Sequence, residues 1–242
     1  MEPGWRVLSS GTSSWICCDA LAGIDGVVHA FHTRDPPSCV EPPVVLRQVH
    51  GDLVHRVTGP TDATAPPEGD GLVALREEAG AVRLAVRTAD CIPVLLADRA
   101  GRAVAAIHAG WRGVAVGVAL RATERLGALG VATAGLVAAL GPGIGPCCYE
   151  VGGEVLDGVA LAAGVAPERV SDAPARPGGG RRLDLHAALA LQLAGAGVPL
   201  MAVHRAPWCT SCSPELLHSY RRDGARSGRQ MACIGWGPRA DA

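Results

Sequence analysis

Residues 81–110, AVRLAVRTADCIPVLLADRAGRAVAAIHAG, narrow the possible folds of this chain more than any other stretch. Two apolar runs, AVRLAV and IPVLLA, are separated only by the polar step TADC, and a third, RAVAAIHAG, follows at once. Short apolar runs bounded by polar or glycine steps predict buried strands. The next residues, WRGVAVGVALRATERLGALG, have helical character and predict a helix ending at Gly127 or Gly130. Residues 134–164 repeat the theme of strand, Gly/Pro-rich loop and helix, and LDLHAALALQLAGAG (183–197) predicts a helix with Leu183 and Asp184 near its start. Further strands are predicted at 27–34, 44–51 and 200–207 and in the C-terminal MACIGWG, with loops over 58–71 and 172–182. Strands and helices alternate in part, with strand pairs early. This predicts an α/β (α+β) fold, a single layered domain over residues 1–242 with mixed β-sheets flanked by helices.

Composition removes several function classes. The chain of 242 residues is 48% apolar, enough for a full core, but only 3% aromatic, so Ala, Val and Leu must do the packing. Net charge is −1 with both signs interspersed, which argues against a nucleic-acid partner. The sequence contains no Lys, which excludes Schiff-base and pyridoxal-phosphate lysines and the P-loop. No apolar stretch reaches membrane-spanning length and the N-terminal residues lack a signal-peptide pattern, so the expectation is a soluble, cytoplasmic chain without a membrane partner. Nine cysteines, an odd number, point to reduced thiols rather than a disulfide scaffold.

Three residues stand out: His50 in QVHG, Cys91 in TADC and His108 in IHAGWRG. Each closes a β-type run before a polar or Gly-rich turn, where sites of α/β proteins gather. They lie 41 and 17 residues apart, too far for a zinc finger, so any shared site must be assembled by the fold. Two imidazoles and a thiolate are the ligand count of a catalytic zinc with an open position. Cys91 could equally be a nucleophile activated by one His, or a small core residue. In HAGWRG, Arg112 could hold an anion where strand gives way to helix. The loop GPGIGPCCYE lacks dinucleotide spacing but allows close approach of a ligand to backbone, with Tyr149 as a pocket candidate. Cys209-x-x-Cys212, without a second pair, is a weak zinc or redox signal. Arg221, Arg222, Arg226 and Arg229 form a basic cluster, and His29 and His32 would face opposite sides of a strand.

The motifs LRQVHG, RTADCIPVLLAD, AAIHAGWRG, GPGIGPCCYEVG, CT and SYRRDGARSGRQMACIG occur in that order between about Phe31 and Ile234. In this the chain resembles the laccase-domain or polyphenol oxidase family, whose members are understood as purine nucleoside phosphorylases. The resemblance implies a single layered α/β domain. It implies a zinc-type site from His50, Cys91 and His108, with Asp90 a candidate to orient them. It further implies phosphorolysis of adenosine, inosine, guanosine and methylthioadenosine, with adenosine deamination beside it. The implied partners are purine nucleosides and phosphate, with Arg34, Arg112 and Tyr149 as substrate-binding residues, in a monomer or small homo-oligomer. The segment between Arg34 and QVHG is shorter than the family pattern, which bears on substrate range. Copper oxidation of phenols, the older family name, fits poorly with eight His and no H-x-H. A nucleoside-binding protein without turnover and a cysteine hydrolase are the remaining alternatives.

Overall fold

The computed structural model describes residues 4–35, 42–60, 65–171 and 180–237. In chain order its strands are β1 (Trp5–Ser10), β2 (Ser13–Cys18), β3 (Val27–His32), β4 (Val54–Val57), β5 (Gly71–Leu75), β6 (Arg83–Thr88), β7 (Ile92–Asp98), β8 (Ala103–Ala109), β9 (Leu136–Leu140), β10 (Glu150–Val151), β11 (Arg181–Arg182), β12 (Val203–Arg205) and β13 (Gln230–Trp236). The helices are α1 (Asp19–Ala22), α2 (Arg76–Ala79), α3 (Trp111–Ala115), α4 (Val118–Ala128), α5 (Gly153–Ala162), α6 (Leu185–Gly195) and α7 (Tyr220–Asp223). Five strands form an antiparallel sheet in the order β1-β2-β3-β13-β6. Six form a mixed sheet in the order β12-β9-β7-β8-β5-β4, with parallel pairs only at its two edges, and β10 and β11 make a small third sheet.

The two large sheets and a helical layer stack, and the central sheet explains the sequence. Side chains alternate across a strand. Val94, Leu96, Ala105 and Ile107 pack with α4, α5 and α6 residues such as Ala122, Val159 and Leu189. Leu95, Ala97, Val104 and Ala106 pack instead against Phe31, Leu84, Val86 and Ile234 of the other sheet. Strands β7 and β8 are buried on both faces, so they read as continuous apolar runs rather than alternating ones. The helix predicted after Gly110 is two helices, because Gly117 takes φ +81° and turns the chain between α3 and α4. Asp184 caps α6 by accepting from Ala187 N at 2.8 Å.

Three expectations need correction. Residues 44–51 form no ladder; Val44 bridges Leu84 of one sheet, Arg47 bridges Glu68 beside the other, and the chain passes between the sheets instead of joining one. Of residues 200–207, only 203–205 are strand, after a 3-10 turn at Leu200–Ala202. Of the predicted loop at 172–182, residues 172–179 lie outside the described residues, and Arg181–Arg182 pair with Glu150–Val151. Among the described residues no helix is long and apolar enough to cross a membrane.

Candidate functional site

The TADC step is where the chain leaves one sheet for the other: β6 ends at Thr88 in the five-stranded sheet and β7 begins at Ile92 in the six-stranded one. Cys91 stands at this crossing. His108 lies at the end of β8, which pairs with β7 so that Pro93 faces His108. His50 arrives on the segment that passes between the sheets. The Cys91 Sγ and one ring nitrogen from each histidine lie within 4.8 Å of one another. Cys91 Sγ is 3.9 Å from His50 Nε2, and the two imidazoles meet edge to face with centroids 4.8 Å apart. Gly110 is necessary at this point, since a Cβ there would sit 2.9 Å from Cys91 Sγ and 3.1 Å from His50 Cδ2.

Asp70 holds the group in place. Its fully buried carboxylate accepts from His108 Nδ1 (2.7 Å) and from the backbone N–H of Val49 (3.2 Å), His50 (2.9 Å) and Gly51 (2.7 Å). Those backbone bonds secure His50 at φ +63°, a conformation that costs a non-glycine residue on the order of 1–3 kcal/mol. The Nδ1 bond also turns His108 Nε2 towards Cys91. Burial raises the energy of the Asp70 carboxylate, but the donors from His108, Gly51 and His50 outweigh it and hold the group below its ordinary range. Burial likewise opposes ionisation of Cys91, yet hydrogen bonds and charge from His108 and His50 bring the thiol down to about 6. For His108, burial favours the neutral ring, but Asp70 and Cys91 raise it to about 9. A thiolate beside two imidazoles is a donor set for a divalent transition metal.

These side chains open into a cavity of about 690 Å³ whose wall also includes Arg87, Arg112, Tyr149, Tyr220, Arg221 and Arg229. Three guanidiniums lie over rings: Arg112 over Trp111 at 4.5 Å, Arg221 over Tyr149 at 5.1 Å and Arg229 over Tyr220 at 5.8 Å. Burial and the charge of Cys91 push the Tyr149 hydroxyl up to about 12, so it stays a donor. Thr88 Oγ1 is buried at the wall without a protein partner. Of the predicted residues, the fold brings His50, Cys91, His108, Arg112 and Tyr149 to this cavity. Arg34 is not among the residues lining it; its guanidinium donates to Pro214 O at 3.1 Å. The shortened segment after Arg34 falls largely at 36–41, outside the described residues.

Asp90 does not orient these side chains. Its carboxylate accepts from Thr210 Oγ1 and Arg221 N, both at 2.6 Å, and so ties the crossing to α7. The orienting carboxylate is Asp70, which lies within the loop predicted at 58–71. An acid between two glycines directly before the apolar GLVAL was the available signal.

Comparison with known proteins gives the chain a family. A family model described as multi-copper polyphenol oxidoreductase laccase matches residues 35–237. The chain is 39% identical over 204 residues to purine nucleoside phosphorylase YlmD of Geobacillus stearothermophilus, covering 79% of this chain and 71% of that protein. It is 37% identical over 232 residues to a purine nucleoside phosphorylase of Pseudomonas aeruginosa, covering 89% and 87%. It is also 35% identical over 165 residues to adenosine deaminase RL5 from an unknown prokaryotic organism, covering 68% and 62%. The crystal structure of YlmD superposes with a TM-score of 0.79 at 30% identity, over 96% of this chain and 99% of that one. From motif order, layered fold and matched length together, the chain belongs to the multi-copper polyphenol oxidoreductase laccase family.

Proposed function

We propose that this chain is a purine nucleoside phosphorylase that cleaves adenosine, inosine, guanosine and methylthioadenosine with phosphate, using zinc held by His50, Cys91 and His108. The observation that carries the reading is the convergence of that N, N, S group with four arginines and two tyrosines on one cavity. The names of the relatives support it. The donor set fits zinc, which needs no further protein ligand at a catalytic site. A blue-copper centre adds a weak axial ligand, a Met, a Gln or a backbone oxygen, to a His, His, Cys set. Among the described residues no Met lines the cavity, and both ends of the Gln48 amide are taken up by the backbone of Arg87, so neither side chain serves as that axial ligand. Zinc bound there supplies a Lewis acid with a free coordination position.

The chain's own residues do the rest. Arg112, Arg87, Arg221 and Arg229 make the cavity positive and hold phosphate by charge-assisted hydrogen bonds. Tyr149 and Tyr220 give the purine flat apolar faces, and the protonated Tyr149 hydroxyl offers a hydrogen bond to the nucleoside. A phosphate oxygen attacks C1′ of the ribose as the bond to the purine nitrogen breaks. The electron pair leaves with the base, which takes up a proton, and ribose 1-phosphate remains. Deamination of adenosine at the same site is the second reading, favoured by the relative named for it. Zinc-loaded protein incubated with adenosine and phosphate should yield adenine and ribose 1-phosphate by chromatography; inosine would mark deamination. If none of these products forms, the proposal fails.

A further inference from the structure

A second group of metal donors lies outside the cavity wall. Cys147 and Cys148 sit in the Gly/Pro-rich loop after β9, and Cys209 and Cys212 sit on a turn after β12. The fold brings the two pairs together although more than 60 residues separate them in the chain. All four Sγ atoms lie within 4.8 Å of one another; Cys148 and Cys212 are 3.3 Å apart, and Cys147 and Cys212 are 3.6 Å apart.

We propose that Cys147, Cys148, Cys209 and Cys212 form a tetrathiolate site for a structural zinc ion, separate from the His50, Cys91 and His108 group. Zinc–sulfur bonds of about 2.3 Å in a tetrahedron set the sulfurs about 3.8 Å apart, so these donors need only small shifts to close around the ion. Residues 209–212 close a tight turn, Cys212 N donating to Cys209 O at 3.1 Å, and from the other loop Gly145 N donates to Cys209 Sγ at 3.2 Å. Amides pointing at sulfur favour the thiolate form that metal binding requires. A disulfide joins two sulfurs and gives no reason for four to converge on one point. A zinc tetrathiolate is doubly negative, and two arginines stand beside it. Arg221 donates to Cys148 O at 3.2 Å, and Arg222 donates to Thr210 O and Ser211 O at 2.8 and 3.3 Å.

The site has a task. The loop that carries Cys147 and Cys148 also carries Ile144 and Tyr149, which line the cavity, and the Cys209 turn is tied through Thr210 to Asp90 at the crossing. Zinc would clip these segments together and set the wall against which the first group works. It acts by positioning and touches no substrate.

The test counts metal. Full-length protein is loaded with zinc ions, freed of excess and analysed by plasma mass spectrometry. Wild type should hold two zinc ions per chain, Cys91→Ala one, and the double variant Cys209→Ser/Cys212→Ser one. Cys147→Ser, at an exposed position, covers the event that the double variant does not fold, and should also lose one ion. Loading Cys91→Ala with cobalt(II) should give the intense thiolate charge-transfer absorption of a four-sulfur site. One zinc in wild type and none in Cys91→Ala would overturn the proposal, as would an unchanged count in the cysteine variants. Recovery of these cysteines as disulfides from protein alkylated under its native conditions would overturn it too. None of these outcomes depends on phosphorolysis, so the proposal can fail or stand apart from the function proposed above.

Discussion

Among the described residues two non-glycines take positive φ, His50 at +63° and Asp90 at +90°, and both flank the cavity. Each is secured by a carboxylate: Asp70 binds the backbone around His50, and Asp90 anchors itself to Thr210 and Arg221. Strain at such positions persists only where the surroundings over-determine it. Replacing Asp70 with Asn should therefore do two things. It should weaken zinc binding about 10–100-fold, because the carboxylate orients His108 and the His50 turn. It should also destabilise the fold by about 3–5 kcal/mol, because it removes one charge from a buried hydrogen-bonded pair. Zinc titration and urea unfolding check the two separately. Gly110→Ala places a methyl group against Cys91 Sγ and His50 Cδ2. Displacements of this size at a reacting centre cost on the order of 100-fold in rate. Its kcat/KM should fall by that factor while circular dichroism stays unchanged.

Strands β2 and β3 meet in only a short ladder, and a side chain supplements it. His29 Nε2 accepts from Cys18 N at 2.9 Å, which requires an unprotonated nitrogen. Burial, with smaller and opposing contributions from Asp19 and Arg6, lowers the His29 pKa to about 4. The unfolded chain binds this proton near pH 6.5 and the folded chain only near 4, so stability from this residue is complete above pH 6.5 and falls as pH drops from there to 4. The loss amounts to at most about 3 kcal/mol, since the ring is partly exposed. Urea midpoints measured across that window should fall in wild type and fall less steeply in His29→Gln, since His32, His186, His204 and His218, also lowered by burial, still contribute. Elements with one dominant cause were legible in the sequence: β7 and β8 from their unbroken apolar runs, α6 from Asp184 and its apolar residues. Residues 44–51 were not, because the segment makes one isolated bridge to β6 and another to the loop before β5 and belongs to no sheet.

The six-stranded sheet belongs to two cores at once, with helices on one face and the other sheet on the opposite face. Leu95, fully buried between the sheets, lies at the centre of this arrangement. Leu95→Ala should cost about 2–5 kcal/mol. If the layers are one folding unit, fluorescence and circular dichroism should lose their signals in a single coincident transition in both wild type and variant. Separate transitions would divide the chain into two units. The sequence alone made the strand–helix layering legible, and with it His50, Cys91 and His108, because apolar periodicity and residue chemistry are local properties. It also held both cysteine pairs in plain view. It takes the folded chain to show that Asp70 rather than Asp90 orients the histidines, that Arg34 is not among the residues lining the cavity while Arg87, Arg221 and Arg229 are, and that Cys147 and Cys148 meet Cys209 and Cys212. Those facts depend on which strand ends and loops meet where the chain crosses between sheets. Such meetings are set by the packing of the whole core, and no window of sequence contains them.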